Sequence, residues 1–250
     1  MPETSPPPAG LPLFFNRIVG VDPALHGNLR IDRSVGYGFA ARTKFVPLGL
    51  EEFEAAAQDY PILFTASDDP IAVALLGLQS DSNVFVDIAG NWKPGTYIPA
   101  YVRAFPFVLL EKSASEFYLS MEPDAACLSL EKGEPLFQGT KPSKALDGAM
   151  KFVAAVRNNL LLAAELARTL DRAGLLEPEE AKIDFVAGGS AVVRSFRVLK
   201  RERLEKVNDE TFLDWRRRKW VAAIDAHLFS AGRWVRLMEL HSETRARKLH

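Results

Sequence analysis

Tyr60-Pro-Ile-Leu-Phe-Thr-Ala-Ser-Asp-Asp-Pro-Ile-Ala-Val-Ala-Leu-Leu-Gly-Leu-Gln-Ser-Asp-Ser-Asn-Val-Phe-Val-Asp-Ile88 holds three apolar runs, Ile62 to Thr65, Ile71 to Leu78 and Asn83 to Ile88. Short gaps holding Asp-Asp-Pro and Ser-Asp-Ser separate them, and such clusters make turns. A parallel connection needs a crossover of about a dozen residues or more, so these runs read as neighbouring antiparallel strands.

Working outward, Leu13 to Val19 and Tyr37 to Pro47 read as further strands, and Leu50 to Asp59 as a short helix with Phe53, Ala56 and Ala57 on one face. Tyr60-Pro61 ends that helix. Pro99 suits the first turn of a short helix over Ala100 to Ala104, and Pro106 stops it. Phe107 to Lys112 and Glu116 to Met121 form a hairpin around Ser113 to Ser115, and Ala126 to Leu130 adds a strand. After Lys141 the pattern changes. Ser143 caps a long helix with the stripe Leu146, Met150, Val153, Leu160, Ala164 and Ala167, which Gly174 and Pro178 end. A second β pair, Ile183 to Val186 and Ala191 to Leu199, is joined across Gly188-Gly189-Ser190. Asn208 caps one last helix whose stripe is Leu213, Trp220, Ile224, Leu228, Ala231, Val235 and Met238.

The fold class is therefore α+β, with a mostly antiparallel sheet in the N-terminal half and long helices plus a β-hairpin in the C-terminal half. Residues 1–10 read as a flexible proline-rich lead, residues 11–240 as a single domain and residues 241–250 as a polar tail. The domain has an α+β lobe over about 11–140 and a helical and hairpin lobe over about 141–240.

The chain has 250 residues, 48% hydrophobic and 25% charged, the composition of an ordinary globular protein. The acidic, proline-rich start is unlike an export signal, and no apolar window reaches the length of a membrane span. The single Cys127 allows no internal disulfide. These features point to the cytoplasm. Net charge is −1, yet from Arg194 onward 15 Lys and Arg face 8 Asp and Glu, or +7. That polarity suits an acidic partner, an acidic surface of the same chain, or nucleic acid.

Asn91-Trp-Lys-Pro-Gly-Thr-Tyr-Ile-Pro-Ala-Tyr-Val-Arg-Ala-Phe-Pro-Phe107 is the densest block, with five aromatics and three prolines. Trp92, Tyr97, Tyr101 and Arg103 are the candidate ligand-binding residues. Tyr97 and Tyr101 share a face if the helix begins early, and Arg103 suits a carboxylate or phosphate. The competing reading, which is preferred, makes the block a packing hub that closes the sheet. Asp87 and His26 complete the candidate set. Asp87 stands at a strand mouth where it could orient an amine, although bonding to its own turn is the simpler role.

No catalytic constellation is visible, and the reading leans away from an enzyme. No paired histidines or cysteine ligand set points to a metal, and no glycine-rich fingerprint points to a cofactor. His227 reads as a core-edge histidine and Cys127 as a small hydrophobe. In Trp215-Arg-Arg-Arg-Lys-Trp220 the cations spread over more than a helical turn, so a solvated helix with internal ion pairs is preferred over a nucleic-acid contact.

Six motifs carry a family resemblance: Tyr60 to Phe64, Ala74 to Leu78, Asn83 to Asp87, Gly95 to Phe107, Gly133 to Phe137 and Ala226 to Leu228. In these the chain resembles the bacterial SapC family over about residues 11–240. The resemblance implies a binding or accessory protein linked to cell-envelope, surface-layer or nutrient-uptake functions. It also implies partners from envelope, uptake or halogenase-like systems, because members are commonly encoded near halogenase-like proteins and outer-membrane receptors. Some members carry the label of peptide-transporter permease, which requires spans this sequence lacks. Two alternatives stay open: a small-molecule- or peptide-acting enzyme, or an accessory to a halogenase-like enzyme, using the block 91–107; and a nucleic-acid-binding regulator using the basic C-terminal third.

Overall fold

A computed structural model describes residues 10–113, 116–185 and 189–248. The architecture is α+β, and every strand pairing is antiparallel. The chain divides into two compact units, each built from separated segments.

The first unit comprises the described part of Met1–Gly36 with Arg103–Arg157. Phe107–Ser113 pairs with Glu116–Met121, and that strand also pairs with Val19–Gly20. The expected hairpin is therefore present, with Ala114 and Ser115 outside the described residues. Arg30–Ile31 lies between Leu128–Ser129 and Glu134–Pro135 in a second small sheet. The strand expected over Leu13 to Val19 shrinks to Val19–Gly20. Phe14 takes a left-handed φ of 80°. The buried Glu122 carboxylate accepts the backbone N–H groups of Asn16 (2.6 Å) and Arg17 (2.9 Å), so these donors do not join a ladder.

The second unit comprises Tyr37–Val102 and Asn158–His250, of which residues up to 248 are described. Its sheet has five strands in the order Leu176–Asp184, Ser190–Leu199, Ile62–Thr65, Ala72–Leu75, Phe45–Pro47. The C-terminal hairpin thus inserts its second strand beside Ile62–Thr65, and Leu176–Asp184 forms the edge. That edge position tolerates Pro178, whose missing N–H breaks no ladder. The hairpin begins earlier than the expected Ile183; Val186 and Gly188 lie outside the described residues. Phe53, Ala56 and Ala57 are buried as expected.

Two other strand expectations fail for side-chain reasons. Tyr37 to Pro47 becomes a 3-10 turn, Gly38–Ala40, followed by the short strand Phe45–Pro47. Asn83 to Ile88 forms only a bridge between Val86 and Trp92. Asn83 donates through Nδ2 to the Ala40 carbonyl (3.1 Å) and accepts the Phe85 N–H (2.9 Å), replacing ladder bonds with local ones.

The long helix spans Lys144–Arg172. Ser143 Oγ accepts the Leu146 N–H at 3.2 Å, a serine cap. Gly174, at φ 67°, closes the other end, with Leu175 N–H donating to the Leu170 carbonyl. Leu146, Val153, Ala164 and Ala167 are buried on the expected stripe, Leu160 is half-buried, and Met150 is exposed. The single final helix is in fact three: Asp209–Arg217, Trp220–Ser230 and Arg233–Lys248. Five residues apart, Trp215 and Trp220 would point about 140° away from each other on one continuous helix. A break at Lys219, whose φ is 62°, allows both indoles to be buried. Leu213, two residues from Trp215 and so on the other side of its helix, and Val235, on the third helix, are exposed.

Candidate functional site

The aromatic block is fastened from beneath by the short helical segment ahead of the sheet. Glu52, buried in the 3-10 turn Leu50–Glu52, accepts the Gly49 N–H at 2.9 Å through Oε2. Its Oε1 accepts both the Tyr97 hydroxyl, at 2.9 Å, and the Ala100 N–H. Asp59 Oδ2 accepts the Tyr97 N–H at 2.8 Å. Tyr60, fully buried at the entry to Ile62–Thr65, donates its hydroxyl to the Tyr97 carbonyl. The same oxygen accepts the Trp92 indole N–H at 3.2 Å. Burial pushes the Tyr60 phenol well above its usual range, so the hydroxyl keeps its proton and its role as donor. Trp92 stacks on Phe85 and meets Tyr37 edge-on, at centroid distances of 6.4 and 5.7 Å.

Among the sequence candidates, Trp92 and Tyr97 are brought together through Tyr60. The helix begins at Ala100, so Tyr97 precedes it, and its hydroxyl donates to Glu52. Tyr101 is half-buried on that helix. Arg103 is exposed and lies in the other unit, its guanidinium 5.1 Å from the Phe152 ring centre.

Asp87 is bound into its own turn, accepting the Asn91 N–H at 2.8 Å and the Asn91 side-chain amide at 3.2 Å. The Asn91 N–H is the chief reason its carboxyl lies below the usual range. His26 belongs to the first unit. There its Nδ1 accepts the Asp22 N–H at 3.0 Å, closing the short helix Pro23–His26. Sequence reasoning missed Glu52 and Asp59, which carry no motif of their own. Tyr60 stood in a quoted motif, but its hydroxyl partners lie more than thirty residues away in the chain.

His227 forms a second buried tie. Leu199 N–H donates to Nε2 at 3.1 Å, so the proton sits on Nδ1 and is donated to the Ile62 carbonyl at 2.8 Å. The ring therefore joins two adjacent strands, and burial lowers its pKa to about 4. Burial pushes the half-buried Cys127 thiol up to about 11, away from reactivity. Arg218 pairs with Glu165 and with Asp214, each at 2.8 Å. A groove of about 440 Å³, which no motif announced, lies between Gly174, Leu175, Arg203, Asn208, Thr211 and Trp215. Among the described residues no group of three or more His, Cys, Asp or Glu is placed to hold a metal ion, and no helix is long and apolar enough to cross a membrane.

Two motif glycines have plain steric reasons. A Cβ on Gly77 would lie 1.8 Å from the Ser82 carbonyl oxygen, and one on Gly133, already at φ 94°, would lie 2.2 Å from that of Ile31. The quoted motifs thus supply close backbone approaches, the tie from Tyr60 to Tyr97, and the His227 strand link. They define an α+β protein with a closed aromatic hub in one of its units. The SapC family profile matches residues 21–237, and the chain belongs to the SapC family. Comparison with curated proteins and with solved structures gave no match.

Proposed function

We propose that the chain is a non-catalytic binding or accessory protein of the SapC type, working in the cytoplasm with cell-envelope, surface-layer or nutrient-uptake functions. Family membership supports the general class. The observation that carries the non-catalytic part is the Tyr60 hydroxyl, held between the Trp92 indole and the Tyr97 carbonyl. With Glu52 on the Tyr97 hydroxyl, the polar groups of Tyr60, Trp92 and Tyr97 serve the fold's own hydrogen bonds. Asp87 and His26, the nearest candidates for acid-base work, are each bonded within their own turn. The function then rests on what the folded surface binds.

Co-purification from the native host, with mass spectrometry of the protein and small-molecule fractions, tests this reading. A reproducible envelope, uptake or halogenase-like protein partner is the expected result. A tightly held metabolite turned over by the purified chain would overturn it in favour of an enzyme.

A further inference from the structure

The groove between the end of the long helix and the start of Asp209–Arg217 is lined by hydrogen-bond donors that the fold does not use. It lies wholly within the second unit, and its 440 Å³ suits a small molecule. Thr211 and Trp215 line it as i, i+4 neighbours on one face of their helix. Trp215 is 1% exposed, and a buried indole N–H ordinarily finds a partner. This one makes no hydrogen bond among the described residues, yet it is not sealed from solvent, and the groove is the cavity that Trp215 lines. The half-buried Thr211 hydroxyl makes no bond among the described residues either. Asn208 accepts the Thr211 backbone N–H at 2.9 Å through its side-chain oxygen, which leaves its amide N–H groups as further donors. Lys206 is exposed and pairs with no carboxylate among the described residues. Arg203 is pinned through Nε to Glu177 and through Nη1 to the Gly174 carbonyl, so its charge is already shared. No Asp or Glu lines the groove; Glu205 and Asp209, chain neighbours of Lys206 and Asn208, are exposed outside it. Ala173, Leu175, Val207 and the Trp215 ring make the rest of the lining apolar.

We propose that this groove binds a small organic carboxylate with an apolar body. The carboxylate accepts from the Trp215 indole N–H and the Thr211 hydroxyl, the Lys206 ammonium reaches over it, and the body lies on Leu175, Val207 and the indole ring. The lining selects this class of ligand. A head that only accepts hydrogen bonds matches a lining made of donors. A single negative charge matches the one unpaired cation, and an apolar body matches the walls. A metal ion would find no carboxylate here. A phosphate dianion would meet one unpaired cation and leave the apolar walls wet. The proposal goes beyond the accessory role and does not depend on it, because a protein partner found by co-purification neither requires nor removes a ligand in this groove.

Titration of the full chain with 4-phenylbutyrate and with octanoate tests the proposal, followed by NMR at the Trp215 indole N–H signal, which its loss in Trp215→Phe assigns. At least one acid should move that signal in a saturable way. Acetate lacks the body, 4-phenylbutanol lacks the charge and inorganic phosphate lacks both the body and the single charge, so each should bind at least about 10-fold more weakly. Lys206→Gln should weaken binding of the acid about 10-fold, the worth of one charge-assisted hydrogen bond, and Thr211→Val about 5-fold, the worth of a neutral one. Arg201→Gln, exposed and outside the groove, should leave binding unchanged. If Thr211→Val or Trp215→Phe melts lower than the parent, the exposed pair Lys206→Gln and Arg201→Gln carries the comparison. Absence of a saturable shift with either acid at millimolar concentration overturns the proposal. So does binding indifferent to Lys206→Gln. Phosphate bound as tightly as the acids marks a plain anion patch, and 4-phenylbutanol bound as tightly marks a plain apolar cleft; either result overturns it as well.

Discussion

The Tyr60 hydroxyl accepts the Trp92 indole N–H at 3.2 Å and donates to the Tyr97 carbonyl, so one buried oxygen holds both halves of the aromatic block. Removing that oxygen takes the acceptor from the buried Trp92 N–H and one donor from the Tyr97 carbonyl. Tyr60→Phe should therefore cost about 1–3 kcal/mol. Exposed Arg103→Ala should change stability by less than about 0.5 kcal/mol. Urea unfolding of both variants checks this, and a Tyr60→Phe protein as stable as the parent would contradict the hub.

Gly77 and Gly95 separate sterics from backbone conformation. A methyl on Gly77 collides with the Ser82 carbonyl, whereas a methyl on Gly95, at φ 76°, would meet nothing within 4 Å. Gly77→Ala should lose roughly 3 kcal/mol through forced displacement. Gly95→Ala should lose only about 1 kcal/mol from its left-handed φ. Thermal melts of the pair should rank them in that order.

His227 sets an acid limit on stability. Its folded pKa is about 4 against an ordinary 6.5, because burial favours the neutral ring. Above pH 6.5 both folded and unfolded chains carry a neutral ring, and this contribution to stability is fully present. Between 6.5 and 4 the unfolded chain takes up a proton that the fold excludes, so stability falls with pH, and below that window the loss is complete. His227→Gln keeps a donor for Ile62 and an acceptor for Leu199 but does not titrate. From about pH 7.5 to about pH 5 the parent should lose about 2 kcal/mol more than this variant. Parallel pH profiles would refute the assignment.

Arg218 bridges two carboxylates on a partly exposed surface. A double-mutant cycle of Arg218→Ala with Glu165→Ala should give a coupling of about 0.5 kcal/mol that shrinks with salt. If the cations of this region served nucleic acid, titration with generic duplex DNA would show affinity collapsing steeply as salt rises. The expected outcome is no such binding.

Local chemistry made several elements legible. Pro99 ahead of Ala100–Ala104, Ser143 ahead of the long helix and Asn208 ahead of Asp209–Arg217 each act on donors within three residues of themselves. The hairpin Phe107–Ser113 with Glu116–Met121 needs only a short turn. The candidate site was half legible: Trp92 and Tyr97 stood out by residue type, but Glu52, Asp59 and Tyr60 reach them from 32 to 45 positions away. No periodicity records such a distance. Asn83 to Ile88 misled for the opposite reason, since an apolar run is silent about Asn83 taking the Phe85 N–H.

By itself, then, the sequence determined what neighbours in the chain decide: the antiparallel class, the helix caps and the family motifs. Tertiary structure alone decided that each unit draws on separated segments and that Ser190–Leu199 lies beside Ile62–Thr65 with His227 tying them. It alone also decided that the last helix breaks at Lys219 so that Trp215 and Trp220 are both buried. Those choices depend on burial and hydrogen-bond satisfaction summed over groups far apart in the chain, and no local pattern of residues encodes that sum.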